Sequence, residues 1–462
     1  MQPHRFFVVS IALLYVAGCA SVPKRADTPL DTVPNQWATP QANKQPVDAN
    51  WLKHFNDPDL EAIVAEAMAN NPNLLATAAR LDQARAEARL AGADRLPAVA
   101  LGLGGARQRN SNLGPQPSSG SYSNRTNLDL NLSWELDLWG RLRNQSAAAL
   151  AQAEASAADL AAARLSLAAQ TAKAWFTYSE AAAQVVLAEA EAENYATNQA
   201  TLESRYRSGL SNSLELRQIR TEAANAQAVL HTRQRARDQA ARRLEVLLGR
   251  YPSATLTAPT DLPTLPAAVP AGLPSDLLLR RPDLIAAERR LAASSQQVRA
   301  ARKEWLPKLS LTGATGTSAP EFAELLNNNF RVSSVAGNLL QPIFQGGRIR
   351  ANVDRRASQQ AQAAAAYHNA ALQAFLEVES TLAAETLLRA ESQQLQRAAD
   401  EASAAATLAW QQYRSGTLDF LNVLRSERVA ANARSRYLSL RQQLLSNRID
   451  LHLALGGSFR NP

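Results

Sequence analysis

The feature that most limits how this chain can fold is that it is written twice. Asn71-Pro72-Asn73-Leu74-Leu75 returns as Arg281-Pro282-Asp283-Leu284-Ile285, an offset of 282 − 72 = 210. Arg95-Leu96-Pro97 returns as Trp305-Leu306-Pro307 at the same offset. Gly140-Arg141-Leu142-Arg143 then matches Gly347-Arg348-Ile349-Arg350, Tyr206-Arg207-Ser208-Gly209 matches Tyr413-Arg414-Ser415-Gly416, and Leu248-Gly249 matches Leu455-Gly456, all at 207. Matches in one order at a near-constant offset make a tandem duplication, so one structural unit is used twice. The offset drops by three only between Pro97 and Gly140, which places the length difference in a single loop. The units are residues 51–250 and 276–457, joined by a Pro- and Thr-rich linker at 251–275 and followed by a tail at 458–462.

Each unit changes its hydrophobic period in the same order. Asn71 can cap a helix with Pro72 in its first turn, and Pro97 stops it. The second unit repeats this from Pro282 to about Glu304. Strands are expected at 97–106 and 307–315, then loops rich in Gly, Ser, Pro and Asn at 107–125 and 316–329. Asn127 to Leu138 alternates polar and apolar without a break, so its apolar residues fall on one face of a strand and its polar residues on the other. A strand over 126–138 is long for a soluble sheet, where about five or six residues is usual, and suits a bilayer, which needs about 9 to 11 tilted residues. Tyr122 and Trp139 stand near its ends, where a membrane barrel carries aromatic girdles. An amphipathic strand of a sandwich is the competing reading. The counterpart at 330–344 alternates less cleanly.

Long helices follow each strand. From Arg141 to about Arg205, and from Arg348 to about Gln412, there is no proline, and alanine, glutamine and glutamate dominate. At about 1.5 Å per residue each helix spans about 100 Å. Gly209 and Gly416 can supply left-handed caps for helical hairpins, with tips near 206–213 and 413–422. Only 6% of the chain is aromatic, so alanine is the packing material and neighbouring helices can approach closely. Lys+Arg 49 against Asp+Glu 41 leaves a net charge of +8, but the basic residues are interspersed with acidic ones along helices, the pattern of solvated faces and no sign of nucleic-acid binding.

Residues 1–18 read as a targeting segment, with Arg5 before an apolar run from Phe6 to Val16 that is too short to span a bilayer stably. The single cysteine, Cys19, ends the string Val16-Ala17-Gly18-Cys19, which resembles the lipobox of bacterial lipoproteins. There the cysteine carries covalent lipid, and Ala20 after it resembles sorting to the outer membrane. Residues 19–50, rich in Pro, Asp, Asn and Gln, read as a lipidated extended tether. One cysteine excludes an internal disulfide and a multi-thiolate metal site. His4, His54, His231, His368 and His452 show no metal-ligand spacing, and Gly102-Leu103-Gly104-Gly105 lacks the Lys-Ser/Thr of a phosphate loop. No cofactor and no enzyme activity are expected.

Two strands per unit make four per chain, and their open edges cannot stand in a membrane, so copies must join to close a barrel. Asn127, Asp129, Asn131 and Glu135 would then face a lumen and Leu128, Leu130, Leu132 and Leu136 the lipid. The lipobox cysteine, the duplicated helix-strand-strand-helix units, the Leu-Pro strand starts and the paired Tyr-Arg-Ser-Gly hairpins together resemble the outer membrane factor family, TolC-like efflux lipoproteins of the NodT type. The resemblance implies a mainly α protein with a transmembrane β-barrel: a homotrimer with a 12-stranded barrel in the outer membrane of a Gram-negative bacterium and a periplasmic α-helical tunnel. It also implies a passive conduit for drugs or other small toxic compounds, supplied by a periplasmic adaptor and an inner-membrane RND-type pump. Four strands per chain would equally permit a dimer of eight. A type I secretion channel and a lipidated coiled-coil adaptor are the alternatives.

The family's tunnel closes at its periplasmic tip, which maps onto Leu418, Asp419, Leu421, Asn422 and Arg425. Asn422 and Arg425 stand where carboxylates are frequent in the family. Asp419 and Arg425 are expected to contribute to the closed state, with Leu418 and Leu421 as an apolar constriction; Asp419 as a helix cap with a solvated Arg425 is the equal alternative. Arg207, Gly209, Arg414 and Gly416 at the hairpin ends are expected adaptor contacts, against a role for the two arginines in neutralising helix C-termini.

Overall fold

The computed structural model describes residues 36–38, 51–110, 121–257, 259, 261–266 and 274–457. Cys19, the targeting segment, nearly all of the tether and the tail lie outside them. A 3₁₀ turn at Trp51–Phe55 leads into α1 (Pro58–Asn70), α2 (Pro72–Ala93), β1 (Ala98–Asn110), β2 (Ser121–Leu136), α3 (Arg141–Arg207) and α4 (Ser213–Leu247). The second unit comprises α5 (Leu277–Arg280), α6 (Pro282–Arg302), β3 (Lys308–Ala319), β4 (Arg331–Leu340), α7 (Arg348–Arg414) and α8 (Phe420–Ala454). The four strands form one antiparallel sheet in the order β1-β2-β3-β4.

Local chemistry explains most boundaries. The Asn71 carboxamide accepts from the backbone N–H of Asn73 (3.0 Å) and Leu74 (3.2 Å), and Pro72 occupies the first turn of α2. β2 stops at Leu136 because Asp137 turns to cap α3, accepting from the N–H of Leu142 (3.0 Å) and Arg143 (2.7 Å). β4 stops at Leu340, before Gln341-Pro342, since proline has no N–H to give a ladder.

Strand extents differ from the sequence expectation. β1 continues to Asn110 and β2 begins at Ser121, so much of the stretch 107–125 expected as loop is strand. β3 continues to Ala319 where a loop was expected from Gly316, and β4 ends four residues short of 344. The Gly, Ser and Asn of these segments signal loop locally, but pairing with a long neighbour satisfies their backbone groups and overrides propensity. The register also locates the length difference between the units. Ala98 pairs with Ser133 and Lys308 with Leu340, spans of 133 − 98 = 35 and 340 − 308 = 32, so the three residues fall at the far end of the hairpin.

The scarce aromatics concentrate at two levels. Trp51, Phe55, Trp175 and Phe176 anchor a buried cluster where the turn, α1, α3, α4 and the linker meet. There the Trp175 indole donates to Asp57 (2.8 Å), and the Tyr178 hydroxyl donates to the Leu256 carbonyl. A second cluster fills the space between the two hairpin tips. The 67-residue helices α3 and α7 are repeat equivalents, yet 27 residues of α3 are buried and only eight of α7. α3 packs against α1, α2, α4, α6 and α8, whereas α7 packs mainly against α6 and α8.

Candidate functional site

The sheet presents two unlike faces. Leu128, Leu130 and Leu132 of β2 pair directly with Leu103, Leu101 and Val99 of β1, so these six side chains share one face. Leu101 is 74% exposed in a single chain. Asn127, Asp129, Asn131 and Glu135 take the other face, across from Gly104, Gly102 and Ala100 of β1 and from Ser318, Gly316, Ala314 and Ser310 of β3. Their polar groups are tied together: Asn131 donates to Asp129, the Ser318 hydroxyl donates to Asn127 (2.8 Å), and Arg141 pairs with Glu135 (2.6 Å). At the helix end of the sheet, the Trp134 indole donates to the Arg95 carbonyl (2.9 Å) and the Trp139 indole to the Pro307 carbonyl (2.8 Å). Ring edge fixed and ring body free is the arrangement aromatics take at a membrane–water boundary. Among the described residues no helix is long and apolar enough to cross a membrane.

The opposite end of the molecule is the pair of hairpin tips. Gly209 and Gly416 both adopt the left-handed conformation, φ 71° and 78°. Each closes its helix by donating to a tyrosine carbonyl, Gly209 to Tyr206 and Gly416 to Tyr413, both at 3.0 Å. The returning helices are capped by Asn212 and Asp419, whose side chains accept from the N–H of Glu215 (2.9 Å) and Asn422 (3.1 Å). Leu202, Leu216 and Ile219 of the first hairpin are buried against Tyr413, Phe420 and Val423 of the second, so the tips lean on each other. The Tyr413 hydroxyl donates to Glu215 (3.3 Å), and the Arg205 guanidinium lies 5.4 Å from the centre of its ring. Burial, reinforced by the Glu215 charge, pushes this phenol above its ordinary range.

The expected tip residues fall as follows. Asp419 is exposed and caps α8, and its second oxygen accepts from the Asn422 carboxamide (2.8 Å). Leu418 is half-buried against the tip cluster, while Leu421 and Arg425 point outward and are exposed. Arg207 and Arg414 are exposed beside their glycines, with Arg414 6.0 Å from the centre of the Trp410 ring. The capping role of Asp419 is thus realised within one chain, and its neighbours Leu421 and Arg425 are free to meet another.

Between tip and sheet, α3, α4 and α8 line a half-open cleft of about 330 Å³ that no motif announced. Glu191, Tyr195, Glu222, Arg233 and Arg428 line it. One Glu191 carboxylate oxygen is buried without a hydrogen-bond partner. Burial raises the Glu191 carboxyl above the usual range; Arg434 opposes this and Glu427 adds to it. The residues come from the first hairpin, α3 and α4, and from α8 some two hundred residues on, so only their packing could have revealed the site.

The family model described as outer membrane efflux protein matches residues 63–250 and 273–457. The probable efflux pump outer membrane protein SepC of Pseudomonas putida is 33% identical, over 98% of this chain and 97% of the relative. Outer membrane protein OprJ of Pseudomonas aeruginosa is 31% identical over 99% and 97%. The solved structure of the outer-membrane channel OprN is 30% identical and superposes with a TM-score of 0.87, covering 93% of this chain and 97% of that one.

Proposed function

The chain belongs to the outer membrane efflux protein family, and on that premise we propose that it is the outer membrane channel of a tripartite efflux system in a Gram-negative bacterium. The observation that carries this reading is the four-stranded sheet with two unpaired edges, set at one end of helices about 100 Å long. The edges close when copies join, and the helices continue the resulting lumen away from the membrane. Three copies give twelve strands. Two would give eight, whose interior side chains nearly fill, leaving no passage. The Leu101 and Leu130 face meets lipid and the Asp129 and Asn131 face lines the lumen. The relatives are channel proteins; no catalytic role is assigned, and neither a secretion channel for polypeptides nor a coiled-coil adaptor finds support among them.

Cys19 carries the lipid that tethers the chain to the outer membrane. The tip, with Arg207, Gly209, Arg414 and Gly416 at its surface, receives the periplasmic adaptor, through which an inner-membrane RND-type pump delivers drugs or other small toxic compounds. Leu421 and Arg425 of each copy converge at the tip and, with Leu418 and Asp419, hold the resting channel shut. Purified protein in planar bilayers tests the conduit. A closed or low-conductance homotrimer is expected, opening when Arg425→Ala removes a contact between copies; a monomer without conductance would overturn the reading. Palmitate labelling lost in Cys19→Ser checks the tether.

A further inference from the structure

We infer that the outer end of the β1–β2 hairpin is a binding site for lipid phosphate. Arg107 and Arg109, held together on the Tyr122 ring, take the phosphate groups of lipopolysaccharide, the phosphorylated glycolipid that forms the outer leaflet of a Gram-negative outer membrane. This rests on the channel proposed above, with its helices on the periplasmic side and the far end of its sheet toward the exterior.

The ladder fixes the face. Arg109 lies opposite Tyr122 and Arg107 opposite Asn124, in a register that runs unbroken from the pairing of Ala98 with Ser133. Side chains alternate between faces along a strand, so Arg107, Arg109 and Tyr122 share the lipid-facing side with Leu103 and Leu130. Arg125, opposite Ala106, takes the other face with Asp129. Depth follows from the same strand. Trp134, whose indole is fixed at the helix end of the sheet, is 134 − 122 = 12 residues from Tyr122 on that face. At about 3.3 Å per residue and a tilt of about 40°, those residues climb about 30 Å, whereas the apolar band of a membrane barrel is about 25 Å tall. Tyr122 and the two arginines therefore stand just beyond the hydrocarbon, at the level of the outer headgroups.

Charge identifies the ligand. The two guanidinium carbons lie 4.8 and 5.6 Å from the centre of one exposed ring, so two like charges share a single platform. Their repulsion is screened less beside hydrocarbon than in bulk water. No acid of the hairpin relieves it: residues 96–128 contain Arg107, Arg109 and Arg125 and no Asp or Glu. Among the described residues neither Arg107 nor Arg109 is paired with a carboxylate. The duplicate turn, residues 320–330, carries Glu321 and Glu324 instead, so this basic end is particular to the first unit. An anion from outside the chain completes the pair. A phosphate monoester carries about −1.5 to −2 charges at pH 7, enough to offset both cations. Planar guanidinium forks grip its oxygens two at a time and are weakly hydrated, which suits them to the membrane boundary better than lysine.

The full-length protein is purified as its oligomer and placed in nanodiscs of phosphatidylethanolamine with increasing bisphosphorylated lipid A, and bound glycolipid is counted by native mass measurement. The parent is expected to retain lipid A, to lose it when the lipid is stripped of its phosphates, and to keep it in the presence of inorganic phosphate. Arg107→Gln with Arg109→Gln should weaken retention about twentyfold, roughly a factor of five per arginine. Arg107→Lys with Arg109→Lys should recover part of the loss, and Arg125→Gln on the other face should match the parent. If the glutamine variant assembles poorly, Tyr122→Leu keeps both charges and removes their platform, and retention should still fall. Unchanged retention in the glutamine variant or in Tyr122→Leu would overturn the site, as would equal retention of lipid A without phosphates. Displacement by inorganic phosphate would reassign the arginines to a soluble anion. Loss of oligomer in the glutamine variant, with glycolipid per surviving oligomer unchanged, would reassign them to a contact between copies. Conductance in bilayers free of lipid A is read in parallel and should be the same for parent and variants; its absence in the parent would remove the channel reading, which separates that failure from failure of the lipid site.

Discussion

Asn71 and Arg281 occupy one position of the duplicated fold and perform one task with different chemistry. Asn71 caps α2 and its carboxamide donates to the Leu247 carbonyl (2.9 Å), joining the start of the short helix to the end of the long hairpin. Arg281 lacks a capping oxygen, yet its guanidinium donates to the equivalent Ala454 carbonyl (3.0 Å), with Asp283 (2.8 Å) and Glu377 (2.7 Å) balancing its charge. Burial alone would lower the Arg281 pKa, but these two carboxylates outweigh it and keep the group charged. Asn71→Ala removes a cap and orphans a carbonyl, so denaturant unfolding should show a loss of about 1–2 kcal/mol. Glu191 gives a pH signature of opposite sense to the usual carboxylate. Its carboxyl is raised in the fold, so the folded state holds the proton more tightly than the unfolded chain. Its contribution is therefore fully present below the unfolded value and is lost as pH rises through the folded one. Thermal denaturation of Glu191→Gln should match the parent at pH 4 and exceed it at pH 8; a deficit at pH 8 would mean that the cleft needs the charge.

At the scale of elements, the two tips show how little sequence a helical hairpin requires. Tyr-Arg-Ser-Gly ends each 67-residue helix because the glycine adopts φ above 70° and returns its N–H to the last turn. Gly416→Ala forces a side chain into the left-handed region at a cost of about 1–2 kcal/mol. Because the contacts of the tip are local, limited proteolysis at 413–420 should accelerate while the melting of the barrel end stays unchanged. Phe420 is buried between the hairpins and makes ring contacts with Trp410 and Tyr413. Phe420→Ala should cost about 3–5 kcal/mol locally, separating the tips and raising open-channel conductance. The strands were less legible than the helices. β2 could be read because lipid on one side and polar neighbours on the other impose strict alternation, while β4, Arg331–Leu340, carries Ser, Ala and Gly, so the expected strand at 330–344 overran its end, which its ladder with β3 sets.

For the whole molecule, a single chain is an incomplete object. Its sheet has free edges at β1 and β4, its apolar face is bare, and one of its two long helices buries only eight of its residues. Folding of the barrel and association of the copies are then one transition, because neither edge strand has a satisfied ladder in hydrocarbon without the next copy. Leu130→Arg on the lipid face should cost about 2–4 kcal/mol near the bilayer midplane and appear as loss of heat-resistant oligomer on gels. Asn131→Ala on the polar face of the sheet should leave oligomer yield unchanged and alter only conductance.

The sequence by itself determined the duplication, the helix starts at Asn71 and Pro282, the left-handed stops at Gly209 and Gly416, and the two-faced β2. Each of these is written in residues within a few positions of one another, where capping, φ preference and period act. Only the tertiary structure decided where the strands end and which residues gather around Glu191. It also decided that α3 is buried while its equivalent α7 is not. Those outcomes depend on partners tens to hundreds of residues away, and two copies of one pattern can be told apart only by the neighbours each acquires.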